Sequence, residues 1–274
     1  MPIAIKPKKQ NRRQYMDGSF RPWKKSAAFA VNPRGILTHR VKHVDTIMKS
    51  WLIGCEKSGI IREAMRRIGI DAWSCDTEPA RDGSPNHIQD DIRNVVNLRG
   101  GNRWNGLILH PECTYLSSSG QHWNGRQLGR EEKTQQAIDF FMWCVRAIQW
   151  IGKGRIENPV GIMSTRYRKP DQIIQPFEYG DDASKQTCLW NYGLPLLVGT
   201  KYIFPRWVCV SCKSIHRLAV HHKMKQNCSC GGKMLPRWAN QTNSGQNKLG
   251  PSDDRKEKRS NTYPGIAEAI ANAT

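Results

Sequence analysis

The sequence predicts an α/β protein: a doubly wound, mainly parallel sheet with a small ribbon inserted near the C-terminus. Three observations carry that prediction. Short apolar runs alternate with helical periodicities between residues 48 and 159, side chains capable of chemistry recur where those runs end, and two close cysteine pairs follow in the last third.

Taken in order, Ser50 to Cys55 reads as a short buried strand. Gly59 to Ile68 reads as a helix, because Ile60, Ile61, Ala64, Met65 and Ile68 recur at helical spacing. Ile70 to Cys75 is a second strand ending at Asp76. After a loop with Arg81, Gly83 and Pro85, Ile88 to Asp91 supplies a third short strand, followed by a helical turn through Val95 and Val96. Gly106 to His110 is a strand around the run Leu107-Ile108-Leu109, stopped by Pro111. The longest helix is predicted over residues 131–151, with Ala137, Phe140, Phe141, Cys144, Ile148 and Ile151 on one side. Glu131 and Glu132 suit its first turn, where the helix dipole favours negative charge. Arg155 to Glu157 is a further strand, closed by Asn158-Pro159.

At 274 residues the chain can bury a genuine core, and it carries a net charge of +20. The excess is localised. Residues 1–47 hold 11 Lys/Arg against 2 Asp/Glu, residues 201–260 hold 13 against 3, and residues 48–200 are nearly balanced at 19 against 17. Such asymmetry points to a polyanion held between basic flanks, and residues 1–47 read as a flexible arm that orders on binding. No apolar run reaches the roughly 18 residues that span a bilayer, so the expectation is a soluble, cytoplasmic protein with no membrane partner. Nine cysteines, an odd number, suit reduced thiols and metal ligation better than a disulfide framework.

In a doubly wound sheet, ligands gather beyond the carboxyl ends of the strands. The first such end is Gly54-Cys55-Glu56-Lys57-Ser58-Gly59, a small-residue turn that lets backbone amides and a helix start approach a ligand. Asp76 is placed to accept hydrogen bonds from a ribose diol, and Asp91 to meet an adenine amino group. In His110-Pro111-Glu112-Cys113 a thiol leaves a strand through a proline-bounded loop, the setting of an exposed nucleophile. Glu157 follows 44 residues later on the next strand end. Further on, Cys209-x-x-Cys212 and Cys228-x-Cys230, with Gly231-Gly232 after them, have the composition of a tetrahedral zinc site. His216, His221 and His222 are alternative ligands.

The ordered set of small-residue loop, Asp76, Asp91, Pro111-x-Cys113 and Glu157-Asn158 resembles the motifs of DNA cytosine-5 methyltransferases of compact, phage type. Thr262-Tyr263-Pro264-Gly265-Ile266-Ala267-Glu268-Ala269-Ile270 resembles that family's last motif, a turn and helix closing on the cofactor pocket. The resemblance covers residues 48–200 and 259–274 and implies a catalytic domain, with residues 201–258 as a basic, zinc-bound target-recognition insertion. It implies S-adenosylmethionine held by Cys55, Glu56, Ser58, Gly59, Asp76, Asp91 and Pro111, with Cys113 as nucleophile and Glu157 on the ring nitrogen of a flipped cytosine in double-stranded DNA; RNA is a second possible substrate.

The chain departs from that pattern in four places. Its first loop has fewer glycines, Glu112 stands at the second proline, and Pro159 replaces the usual valine. No Gln-x-Arg-x-Arg segment is present, leaving Lys185, Arg166 or Arg168 to support the base; Trp207 and Trp238 are candidates to stack on bases. The alternative reading is a non-catalytic nucleic-acid-binding or partner-binding protein on the same fold.

Overall fold

A computed structural model describes residues 50–98, 104–216, 227–250, 252 and 255–274. The predicted arm at 1–47 lies outside them. Seven strands form one sheet in the order β3-β2-β1-β4-β5-β7-β6. These are β1 (Ser50–Gly54), β2 (Ala72–Asp76), β3 (His87–Gln89), β4 (Trp104–Leu109), β5 (Gly154–Pro159), β6 (Gln172–Ile174) and β7 (Thr187–Tyr192). The first five run parallel, while β7 is antiparallel to both β5 and β6. The expected mainly parallel α/β sheet is therefore present. Strands β6 and β7 extend it beyond the point where the sequence pattern ends, at Pro159.

Alternation along the strands sorts the core into two faces, as a sheet covered on both sides requires. Trp51, Ile53, Ile108 and Leu189 pack under α1 (Ile60–Arg67) and α7 (Pro264–Asn272). Leu52, Leu107, Leu109, Ile156 and Trp190 pack under α2 (Ile92–Leu98) and α4 (Arg130–Ile151). Leu52, Ile53, Leu107, Ile108 and Leu109 are completely buried. At ~1.5–3 kcal/mol each, these five residues contribute roughly 10 kcal/mol. On α4 the buried side is wider than the sequence reading: Thr134, Val145 and Ala147 join Phe141, Cys144 and Ile148, whereas Ala137, Phe140 and Ile151 are only partly covered.

A separate three-stranded antiparallel sheet is formed by β8 (Arg206–Cys209), β9 (Ile215–His216) and β10 (Met234–Arg237). It starts later than the expected boundary at residue 201, because Lys201 and Ile203 donate backbone hydrogen bonds to Glu178 and Phe177 of the main body. The join is otherwise made by Trp238, stacked on Phe177 with centroids 4.3 Å apart, and by reciprocal hydrogen bonds between Ser184 and Asn240. Trp238 is thus part of the packing between the two sheets, and Trp207 is a half-buried member of β8. Helix α7 lies along α1. Ahead of it, Asn261 accepts a hydrogen bond from Arg81 in the loop after β2. Among the described residues, no helix is long and apolar enough to cross a membrane.

Candidate active site and metal centre

Strand β1 lies between β2 and β4, so the connections leaving β1 and β4 run to opposite sides, the topological switch point at which such sheets bind ligands. Cys55 begins the turn after β1 with φ of 60°, a left-handed conformation, and Gly59 ends it with φ of 74° at the start of α1. The side chain of Cys55 packs against the core, where burial pushes its thiol well above the ordinary range. Any contribution of Cys55 to a ligand is therefore made by its backbone. Glu56 is buried, and its Oε1 accepts hydrogen bonds from the Ser58 hydroxyl and from the Ile60 amide at 3.2 Å. Its Oε2 is buried without a hydrogen-bond partner among the described residues, an acceptor left for a ligand donor.

Asp76 ends β2 as expected, with Oδ1 receiving the Glu78 amide at 3.0 Å. Asp91 does not end a strand, because β3 stops at Gln89. Its carboxylate receives the Arg93 amide at 2.8 Å and the Arg93 guanidinium on both oxygens, starting α2 and holding the carboxyl below its usual range. The role predicted for Asp91 toward an adenine is thus in competition with a local ion pair. Sequence spacing alone does not reveal a partner two residues away that folds back.

The parallel register of β4 and β5 pairs Leu109 with Ile156, so His110 and Glu157 follow side by side. His110 Nδ1 lies 3.1 Å from Glu157 Oε2, and both side chains are largely buried at 14% and 12% exposure. Burial alone would lower the imidazole pKa, but the Glu157 carboxylate outweighs it and the net shift is upward. For Glu157 burial would raise the value, and His110 reverses it to a net lowering. Each partner thus favours the charged form of the other. His110 Nε2 is buried with no hydrogen-bond partner among the described residues. The sequence pattern alone assigns His110 no role. Its one signal was position, as the residue that leaves β4 next to the Glu157 strand end.

The loop carrying Cys113 is fastened to the end of β5. Asn158 Nδ2 donates to the Pro111 carbonyl at 2.8 Å, Ser118 N to Val160 O at 3.1 Å, and Ile162 N to Leu116 O at 2.9 Å. Gly161 allows this closeness, since a Cβ there would lie 1.9 Å from the Leu116 carbonyl oxygen. From the other side, Arg130 at the start of α4 donates to the carbonyls of Thr114 and Gly120 and covers the Tyr115 ring. Cys113 itself is exposed. Surrounding protein raises its thiol pKa, and Lys185 opposes that shift while Glu112 and Glu157 add to it. Cys75, Cys144 and Cys188 are buried, with thiols raised by desolvation, which leaves Cys113 as the accessible thiol of the main sheet.

Of the three candidate cations, Lys185 is the one whose charge is felt by Cys113, His110 and Glu157 alike. It precedes β7, and because β7 is reversed, its beginning lies beside the carboxyl end of β5. Arg168 is held by Asp171 with two contacts of 2.8 Å, and Arg166 is exposed at the end of α5 (Met163–Arg166). Glu56, His110, Cys113, Glu157 and Lys185 thus form one electrostatic cluster. A depression of about 370 Å³ lies elsewhere, between Gln172, Glu178, Leu197 and Lys201, and no member of the cluster lines it.

In the small sheet, the sulfurs of Cys209, Cys212, Cys228 and Cys230 all lie within 4.8 Å of one another. Cys209 and Cys230 are 3.5 Å apart, and Cys212 and Cys228 are 3.7 Å apart. A tetrahedron of thiolates about 2.3 Å from a zinc ion has edges of about 3.8 Å, so the set fits a metal such as zinc. Gly232 is required at its back, where a Cβ would lie 2.6 Å from Cys209 Sγ. His216 lies instead beside the Ser214 hydroxyl at 3.3 Å, and His221 and His222 lie outside the described residues. Neither a protein-family model nor a curated protein matches this chain.

Proposed function

We propose that the protein transfers a methyl group from S-adenosylmethionine to carbon 5 of cytosine in DNA through a covalent Cys113 adduct. The observation that supports this most is the meeting of an exposed thiol, a buried carboxylate and a lysine at the carboxyl ends of β4, β5 and the start of β7. Cytosine is a weak nucleophile at carbon 5. Addition of the Cys113 thiolate to carbon 6, with Glu157 serving ring nitrogen 3, makes the ring enamine-like. Lys185 favours the thiolate and balances the charge that collects beside Glu157.

S-adenosylmethionine fits the adjoining rim on the chemistry of its donors and acceptors. Glu56 Oε2 is an acceptor for its ammonium group and Asp76 for its ribose, with the amides of the Cys55 to Gly59 turn alongside. When bound, it supplies the electrophilic methyl group. In the small sheet, zinc is the metal best matched to four thiolates, and it orders a platform with Lys213, Lys233 and Arg237 facing the phosphate backbone. Mass spectrometry of cytosine from DNA treated with protein and S-adenosylmethionine tests the proposal. Methylcytosine with wild type and none with Cys113→Ser is the expected result, and unmodified cytosine despite bound cofactor and DNA overturns it.

The four-thiol platform and the two basic flanks favour a second reading, a non-catalytic nucleic-acid-binding protein on this fold. Equal cellular activity of wild type and Cys113→Ala would favour it.

A further inference from the structure

We infer that His110 is a positioning residue that supplies, through Glu157, the proton that ring nitrogen 3 gains when Cys113 adds to the base. This rests on the reading above and goes beyond it, since the thiol and carboxylate alone do not say where that proton is stored. Geometry carries the inference. His110 is held between two strands, its amide donating to the Gly54 carbonyl at 3.0 Å. Its Nδ1 lies 3.1 Å from Glu157 Oε2, within ion-pair range though not aligned as a hydrogen bond, while its Nε2 is sealed from water without a partner among the described residues. A buried imidazole with one side directed at a buried carboxylate has a single neighbour to exchange a proton with.

Other charges reach the pair from every side. Glu56 acts on His110 from the turn after β1, Lys185 on both from the segment before β7, and Arg155 on Glu157 from β5 itself, while Cys113, in the loop after β4, feels Glu157 and its own neighbour Glu112.

The step balances. The thiolate of Cys113 forms a bond to carbon 6 and the carbon 5–carbon 6 π electrons move toward the ring nitrogen. That nitrogen takes a proton from Glu157, whose carboxylate first receives it from Nδ1 of protonated His110 and is a carboxylate again at the end. One anion and one cation are consumed, leaving a neutral adduct and a neutral imidazole. Elimination of the thiolate runs the same path backward and returns the proton to the pair.

Exchange of the cytosine carbon-5 hydrogen with deuterium oxide reads this addition without any methyl donor. Duplex DNA is incubated with wild type, Cys113→Ser, His110→Gln and His110→Asn from about pH 5 to about pH 10, and its nucleosides are weighed by mass spectrometry. Wild type is expected to give a bell, rising with Cys113 ionisation and falling as His110 loses its proton. His110→Gln is expected to be slower by about 100-fold or more, and to lack the falling limb. His110→Asn keeps an amide donor toward Glu157 but cannot titrate. It reports the same loss if the glutamine variant does not fold. Exchange with the wild-type rate and bell in a folded His110 variant overturns the inference alone, whereas no exchange by wild type on bound duplex overturns the cytosine reading with it.

Discussion

Asn158 is 2% exposed and joins the two halves of the cluster, so Asn158→Ala separates the demands of reactivity from those of stability. The substitution removes the 2.8 Å hydrogen bond to the Pro111 carbonyl, which costs about 1–3 kcal/mol if that oxygen is left dry. It also removes Oδ1, a buried acceptor without a partner among the described residues, and so returns about 1–3 kcal/mol. A small void adds ~1 kcal/mol. The terms nearly cancel, and a net loss of about 1 kcal/mol is expected in urea unfolding. Cys113 behaves differently. Its thiol is raised by the protein around it, and a loosened Pro111 loop admits water, lowers the pKa and increases thiolate at fixed pH. Alkylation of Cys113 by iodoacetamide, followed by peptide mass spectrometry near pH 8, should be severalfold faster in the variant, while deuterium exchange into cytosine falls. A stability loss above about 3 kcal/mol with unchanged alkylation would refute the reasoning, because Asn158 would then be serving the core and not the loop.

Gly161→Ala forces a Cβ against the Leu116 carbonyl and should destabilise by about 3 kcal/mol, at the top of the overpacking range; a melt unchanged from wild type would show that the loop contact yields freely. Cys228→Ser should abolish a bound metal that elemental analysis counts at about one per chain, and should remove hydrogen-exchange protection from β8 and β10 while β1 and β4 keep theirs. The His110–Glu157 pair predicts a pH window of stability. The raised imidazole contributes fully below its unfolded pKa and loses that contribution as pH rises through its folded value. The lowered carboxylate contributes above its unfolded pKa and loses it as pH falls through its folded value. The excess stability of wild type over Glu157→Gln should therefore peak between the two folded values. A constant difference across that range would remove the ion pair as its cause.

The parallel half of the sheet was readable in the chain because doubly buried strands are short apolar runs, and Leu107-Ile108-Leu109 is as clear a case as the chain contains. Strands β6 and β7 were not, since Gln172–Ile174 is three residues long and its pairing is fixed only by the reversed neighbour. Cys113 and Glu157 were legible as candidates because their residue types stand at strand ends, and the structure places both at the carboxyl end of the sheet. His110 and the buried oxygen of Glu56 became visible only through register and packing, which a linear pattern does not contain. For Asp91 the linear pattern omits the guanidinium two positions on, which folds back onto both of its oxygens.

The reversed strand has a mechanical corollary. Lys185 stands two residues ahead of β7, and the stretch just before it also fastens the cysteine-rich sheet, through Ser184 with Asn240 and Asp182 with Ala239. Lys185 Nζ is in turn tied to the carbonyl of Arg259, ahead of the last helix. The cation whose charge Cys113, His110 and Glu157 all feel and the attachment of the cysteine-rich sheet thus occupy one short stretch of chain.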